Sequence, residues 1–90
     1  MVRLSPDDDF EVCTPLLTGQ SWRYHFDSDA ELGFSAHYHR EADARSLWRK
    51  DELRQEDGAL TAAFAAVYCV HWHNYQESSL KLRYSVEAPR

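Results

Sequence analysis

Apolar residues fall at alternate positions along most of this chain. Tyr68, Val70 and Trp72 alternate with Cys69, His71 and His73, and Leu80, Leu82 and Tyr84 alternate with Lys81 and Arg83. A period of two places successive side chains on opposite faces of an extended backbone, so each segment predicts a half-buried antiparallel strand. Asn74 to Ser79 supplies the polar break of a hairpin between them. Upstream, Trp22, Tyr24 and Phe26 face one way while Arg23 and His25 face the other. Leu32, Phe34, Ala36 and Tyr38 form the next inward row, with Ser35, His37 and His39 outward.

The remaining segments fill in the rhythm. Phe10 and Val12 begin a short strand that Pro15 confines to an edge or ends. Asp27 to Asp29 and Gln55 to Gly58 read as turns, and Leu60, Ala62 and Phe64 lead into the closing hairpin. Ser46 to Leu53 suits a solvated strand or a single helical turn equally. On propensity alone, helix rivals strand over Glu41 to Glu56 and over Leu60 to Ala66. Seven to eight strands at a spacing of about 8 to 12 residues predict an all-β, antiparallel β-sandwich of jelly-roll type. Residues 1–90 form one domain in this reading, with 1–9 a flexible acidic lead-in around Asp7, Asp8 and Asp9.

Composition sharpens the picture. Aromatics reach 13 % of 90 residues, and large rings fill a thin core between two layers efficiently. The formal net charge of −5 argues against nucleic acid as a partner, because phosphate recognition needs clustered Lys and Arg. No segment is long and apolar enough to span a bilayer. Met1 to Phe10 has no apolar run and does not read as a signal peptide. The expectation is therefore a cytoplasmic chain, luminal if the native gene supplies a signal peptide.

No cofactor is implied. Three isolated Gly residues make no phosphate loop. No Ser–His or Cys–His arrangement marks a nucleophile with its base and an orienting group, so the chain reads as non-catalytic. The preferred reading assigns no metal either. Its alternative is a zinc-binding β-protein: His37 and His39, like His71 and His73, stand two apart on one strand face and project in parallel. That alternative gains weight if the two strands are neighbours. Trp48 is either a core-facing plug or an exposed anchor for a partner. Asn74 is assigned to the hairpin, through side-chain-to-backbone hydrogen bonds.

Two groups of residues resemble the GOLD (Golgi dynamics) domain. Trp22-Arg23-Tyr24-His25-Phe26, then Asp29, then Leu32-Gly33-Phe34-Ser35-Ala36 is similar to its opening signature. Gly58, the run Tyr68 to Asn74, then Ser78, Lys81, Leu82, Tyr84 and Val86 are similar to its closing signature. The chain departs from the family at Ala65-Ala66-Val67, where a Gly is usual, at His73, where an acidic residue is usual, and over Arg40 to Arg54. The resemblance implies a compact β-sandwich that binds proteins, in cargo receptors of the endoplasmic reticulum and Golgi or in cytosolic scaffold and lipid-transfer proteins. It also implies a Cys13–Cys69 disulfide, as in luminal members; outside an oxidising compartment the two would remain thiols.

The expected function is thus a protein–protein interaction module of membrane traffic, Golgi-associated, binding through a sheet face or an edge strand. Trp48, Arg49, Lys81 and Arg83 are the candidate partner-binding residues. Peripheral contact with Golgi or endosomal membranes would rest on Lys81, Arg83 and Arg90, and an edge strand could pair two copies as a homodimer. The second hypothesis is a sandwich binding a lipid headgroup or small ligand, and the third is the zinc protein described above.

Overall fold

A computed structural model describes all of residues 1–90, as antiparallel β structure without a helix. The strands are β1 (Val2–Leu4), β2 (Asp9–Leu16), β3 (Ser21–Arg40), β4 (Asp43–Thr61), β5 (Ala66–His73) and β6 (Leu80–Val86). They number six rather than seven to eight because β3 and β4 run for 20 and 19 residues. Each takes in what alternation alone reads as two strands.

β3 and β4 pair along their whole length, from Ser21 opposite Thr61 to Arg40 opposite Asp43. The other edge of β3 is shared. Residues 24–28 pair with β6, and residues 33–39 pair with β5. β1 then extends β6 and β2 extends β5. One bent ribbon therefore carries two wings, β6–β1 on its first half and β5–β2 on its second.

Asp27 to Asp29 is the bend, not a chain reversal. The β3–β4 register shifts between Asp27 and Leu32, the signature of a bulge, which turns a strand without ending it. Polar side chains serve the backbone there: Ser28 Oγ donates to the Ala30 carbonyl, and Asp29 Oδ1 accepts from the Lys81 amide at 2.9 Å. Phe26 and Phe34 measure the result. Eight residues of straight strand would separate them by roughly 26 Å, yet their rings lie 4.6 Å apart.

The curl brings the inward rows of both halves together. Trp72 on β5 packs against Phe26 at 5.7 Å and Phe34 at 5.3 Å, and Phe10 on β2 meets Tyr84 on β6 at 5.2 Å. Trp22, Phe34 and Trp72 belong to one buried cluster of 15 residues. Trp72 Nε1 is buried there without a hydrogen-bond partner.

Three other expectations change. Gln55 to Gly58 remains strand within β4, opposite Asp27 to Tyr24. Ser46 to Leu53 is strand, so neither the single helical turn there nor a helix over Glu41 to Glu56 forms. Leu60 to Ala66 is not helical either: β4 ends at Thr61 and β5 begins at Ala66. Within β4, Glu52 takes φ 62° beside the register shift near Leu53, which explains why the inward side chains change parity along this strand.

The first nine residues are not a loose lead-in. β1 pairs with β6, Leu4 is buried, and Asp9 opens β2. Asn74, fully buried, ties this end down. Its Nδ2 donates to the carbonyls of Leu4 and Ser78, both at 3.0 Å, and its Oδ1 accepts from the Gln76 amide at 2.8 Å. It thus organises the β5–β6 connection through backbone hydrogen bonds.

Candidate functional site: the outer face of β2, β5 and β3

With aromatic rings filling the inward side, the polar side chains of β2, β5 and β3 gather on the opposite face. Strand register sets them in rows. Asp9 lies opposite His73, which lies opposite Gly33; Glu11 opposite His71 opposite Ser35; Cys13 opposite Cys69 opposite His37. β3 and β5 are neighbours, so the two histidine pairs expected from the sequence share one surface.

They do not form a single four-histidine cluster. His71 Nε2 and His73 Nδ1 both lie 2.8 Å from the same Asp9 oxygen, Oδ1. Burial pushes the Asp9 carboxyl upward, but hydrogen bonds from His73 and His71 outweigh it and hold the group below its ordinary value. His37 and His39 form the second cluster, with Nε2 atoms 3.1 Å apart and Glu11 Oε2 3.4 Å from His37 Nε2. Burial lowers the His37 imidazole's proton affinity; Glu11 works the other way, and His39 and His71 add to the lowering. The His37 and His71 rings stand 6.5 Å apart.

Beneath this cluster, Cys13 and Cys69 are joined as a disulfide across directly opposed positions, with Cα atoms 4.1 Å apart. Cys69 is fully buried under the histidines. Glu11 Oε1 lies 3.2 Å from Cys13 Sγ, a contact and not a hydrogen bond, because the oxidised sulfur carries no proton.

Next to the histidine rows, an open basin of about 550 Å³ is lined by Gly33, Ser35, Asp51, Glu52, His71 and Tyr75, among others. Arg49 Nε donates to Asp51 Oδ1 at its rim. The basin is shallow and polar, suited to a side chain or short segment of a partner.

The four residues expected to bind a partner are not assembled into one surface. Trp48 is half-buried, packed on Phe34 at 5.2 Å and on Tyr24 at 6.3 Å, with Lys50 Nζ over its ring; it is mainly the plug of its two readings. Arg49 lies at the basin. Lys81 and Arg83 stand on β6, in the other wing, where Arg83 pairs with Asp27 at 2.8 Å and Lys81 stands opposite Arg3. Arg90 is 3.8 Å from Glu87. The carboxylates Asp9 and Glu11 were missed as site residues. Their signal is present in the sequence: with Cys13 they form an outward period-two row on the strand that Phe10 and Val12 define.

The chain matches no family model and no curated protein. Among solved structures, it is similar to a de novo designed double-stranded β-helix determined by solution NMR. That likeness has 14 % identity and a TM-score of 0.56, and it covers 96 % of this chain and 94 % of the designed one. At this identity the likeness concerns fold alone: an antiparallel sheet curled into a double-stranded β-helix-like form.

Proposed function

We propose that this protein is a non-catalytic recognition module, a GOLD-like jelly-roll sandwich, that takes a cationic segment of a partner protein in the basin beside His71 and Ser35. The observation that carries the reading is the composition of that basin. Asp51, Glu52 and Asp9 border it, three carboxylates against the one permanent cation Arg49, which pairs with Asp51, and the floor is the small pair Gly33 and Ser35. A chain of net charge −5 attracts a basic partner before contact. What supports a role in membrane traffic, on Golgi-associated proteins, is the resemblance of Trp22 to Ala36 and Tyr68 to Val86 to the GOLD signatures.

The test uses a displayed random-peptide library panned against the wild-type chain and against Ser35→Trp, which fills the floor from the solvent side. The reading expects peptides enriched in Lys and Arg, binding that weakens with salt, and loss of binding in the variant at an unchanged melting temperature. Failure to enrich any peptide, or equal binding by both chains, rejects it. A Golgi position of the tagged chain in cells, compared with a diffuse signal, tests the assignment to traffic.

A further inference from the structure

Glu11, His37, His39 and Cys69 come from three adjacent strands, and one ligand-capable atom from each lies within 4.8 Å of all the others. Residues two apart on one strand face stand roughly 6.6 Å apart along the backbone, so His37 and His39 meet only because their rings turn toward each other. Zinc held at about 2.0 to 2.3 Å by nitrogen, oxygen and sulfur sets its ligand atoms about 3.3 to 3.7 Å apart. The observed separations are 3.1 Å between the two imidazole Nε2 atoms and 3.4 Å from His37 Nε2 to Glu11 Oε2. Three edges of a tetrahedron meet at His37; the edge to Glu11 has metal-site length, and the edge to His39 is slightly shorter and needs only a small opening of the two rings.

The fourth corner is Cys69, whose sulfur is bonded to Cys13. A disulfide sulfur is a poor ligand; the thiolate is the strong one. We propose that Glu11, His37 and His39 form a zinc-class metal site on the outer face of the sheet, and that reduction of the Cys13–Cys69 disulfide completes it by releasing the Cys69 sulfur. The site does not depend on the peptide-recognition reading above, since none of Glu11, His37, His39 and Cys69 lines the basin.

The redox step balances with a dithiol as reductant. The reductant supplies two electrons and two protons to the Cys13–Cys69 bond, leaving two thiols, and itself becomes a disulfide. Zinc then binds the Cys69 sulfur and its proton passes to solvent. Cys69 is fully buried and the His37 side chain is 20 % exposed, while Glu11 and His39 are exposed; the metal would sit at the surface, anchored from its buried side. The second cluster, His71 and His73 on Asp9, lacks a thiol and already satisfies its carboxylate, so it is the internal control.

The experiment titrates cobalt(II), then zinc in competition, into the metal-free full chain with and without a phosphine reductant. The oxidised chain should bind one ion weakly, without a sulfur-to-cobalt charge-transfer band. The reduced chain should bind one ion at least about a hundredfold more tightly, with that band and a tetrahedral visible spectrum. Cys13→Ser, which leaves Cys69 as a thiol, should reproduce tight binding with no reductant. His39→Ala and Glu11→Gln should each weaken binding at least tenfold, and His73→Ala should not. Equal affinity in oxidised and reduced chains overturns the proposal, as does a reduced chain without the charge-transfer band. Circular dichroism of each sample guards against unfolding. If Cys13→Ser does not fold, the oxidised wild type against oxidised His39→Ala decides the three-ligand core, where equal weak binding rejects the site.

Discussion

The Tyr24 ring lies over the backbone of Gly58, its register partner on β4. A methyl group placed on Gly58 would stand 2.6 Å from Tyr24 Cζ and closer still to its hydroxyl oxygen, so no larger residue fits without moving the ring. The ring is held by Phe34 at 5.1 Å and by a hydrogen bond donated to Glu56 Oε2 at 2.9 Å. Burial, reinforced by that carboxylate, pushes the Tyr24 phenol far above its ordinary value, so it donates at every accessible pH. Gly58→Ala should therefore destabilise by about 1–3 kcal/mol, read from urea unfolding. The same change in a Tyr24→Ala background should cost much less, and additive losses would mean the two do not interact.

Reduction of Cys13–Cys69 should cost about 4 kcal/mol in the loop-closure model, because the bond spans 56 residues. For a domain of this size that corresponds to a melting temperature lower by roughly 15–30 °C. Calorimetry with and without reductant measures it, in the absence of metal. Added zinc should restore part of the loss only in the reduced chain.

Asn74→Ala should cost about 2–4 kcal/mol, since it strips the Leu4 carbonyl and the Gln76 amide of their partners in a buried setting. Amide exchange should accelerate first in β1 and around Gln76. Unchanged protection of β1 would separate Asn74 from that role.

The sign of the pH effect at Asp9 follows from its lowered folded value. Stability from this group is full above about pH 4, where the unfolded carboxyl is ionised, and is lost as pH falls through the folded value. Asp9 is half-exposed, so Asp9→Asn should cost less than about 1 kcal/mol at neutral pH. The gap between wild type and variant at neutral pH should be narrower in acid, below the ordinary carboxylate value of about 4. Urea midpoints at the two pH values check it, and a gap that widens in acid contradicts the geometry at His71 and His73.

Trp72→Phe should cost only about 1–2 kcal/mol, below the range for truncating a buried Trp to Ala. The substitution removes a buried N–H that has no partner, while keeping a ring against Phe26 and Phe34. Denaturant midpoints of Trp72→Phe and Trp72→Ala, compared directly, test this.

The inward rows were legible because alternation is a local property: Trp22, Tyr24, Phe26, Phe34 and Trp72 each declare their face through immediate neighbours. The bend at Asp27 to Asp29 was not. A polar triplet reads the same whether the chain reverses or merely kinks, and only pairing with the distant Lys81 and Arg54 distinguishes the two. Strand adjacency was equally hidden. His37 and His71 are far apart in sequence, and nothing near either one announces that β5 lies against β3. Asp9 was absorbed into a charged run with Asp7 and Asp8, although its parity with Glu11 and Cys13 assigned it to the outward row.

β3 hydrogen-bonds to β4, β5 and β6, and through the last two it anchors β2 and β1. Neither wing keeps its edge partner if this strand leaves, so the molecule has no half that can melt while the other survives. Protein of this design is expected to unfold as one cooperative unit, and a protease would find few partially opened forms to cut.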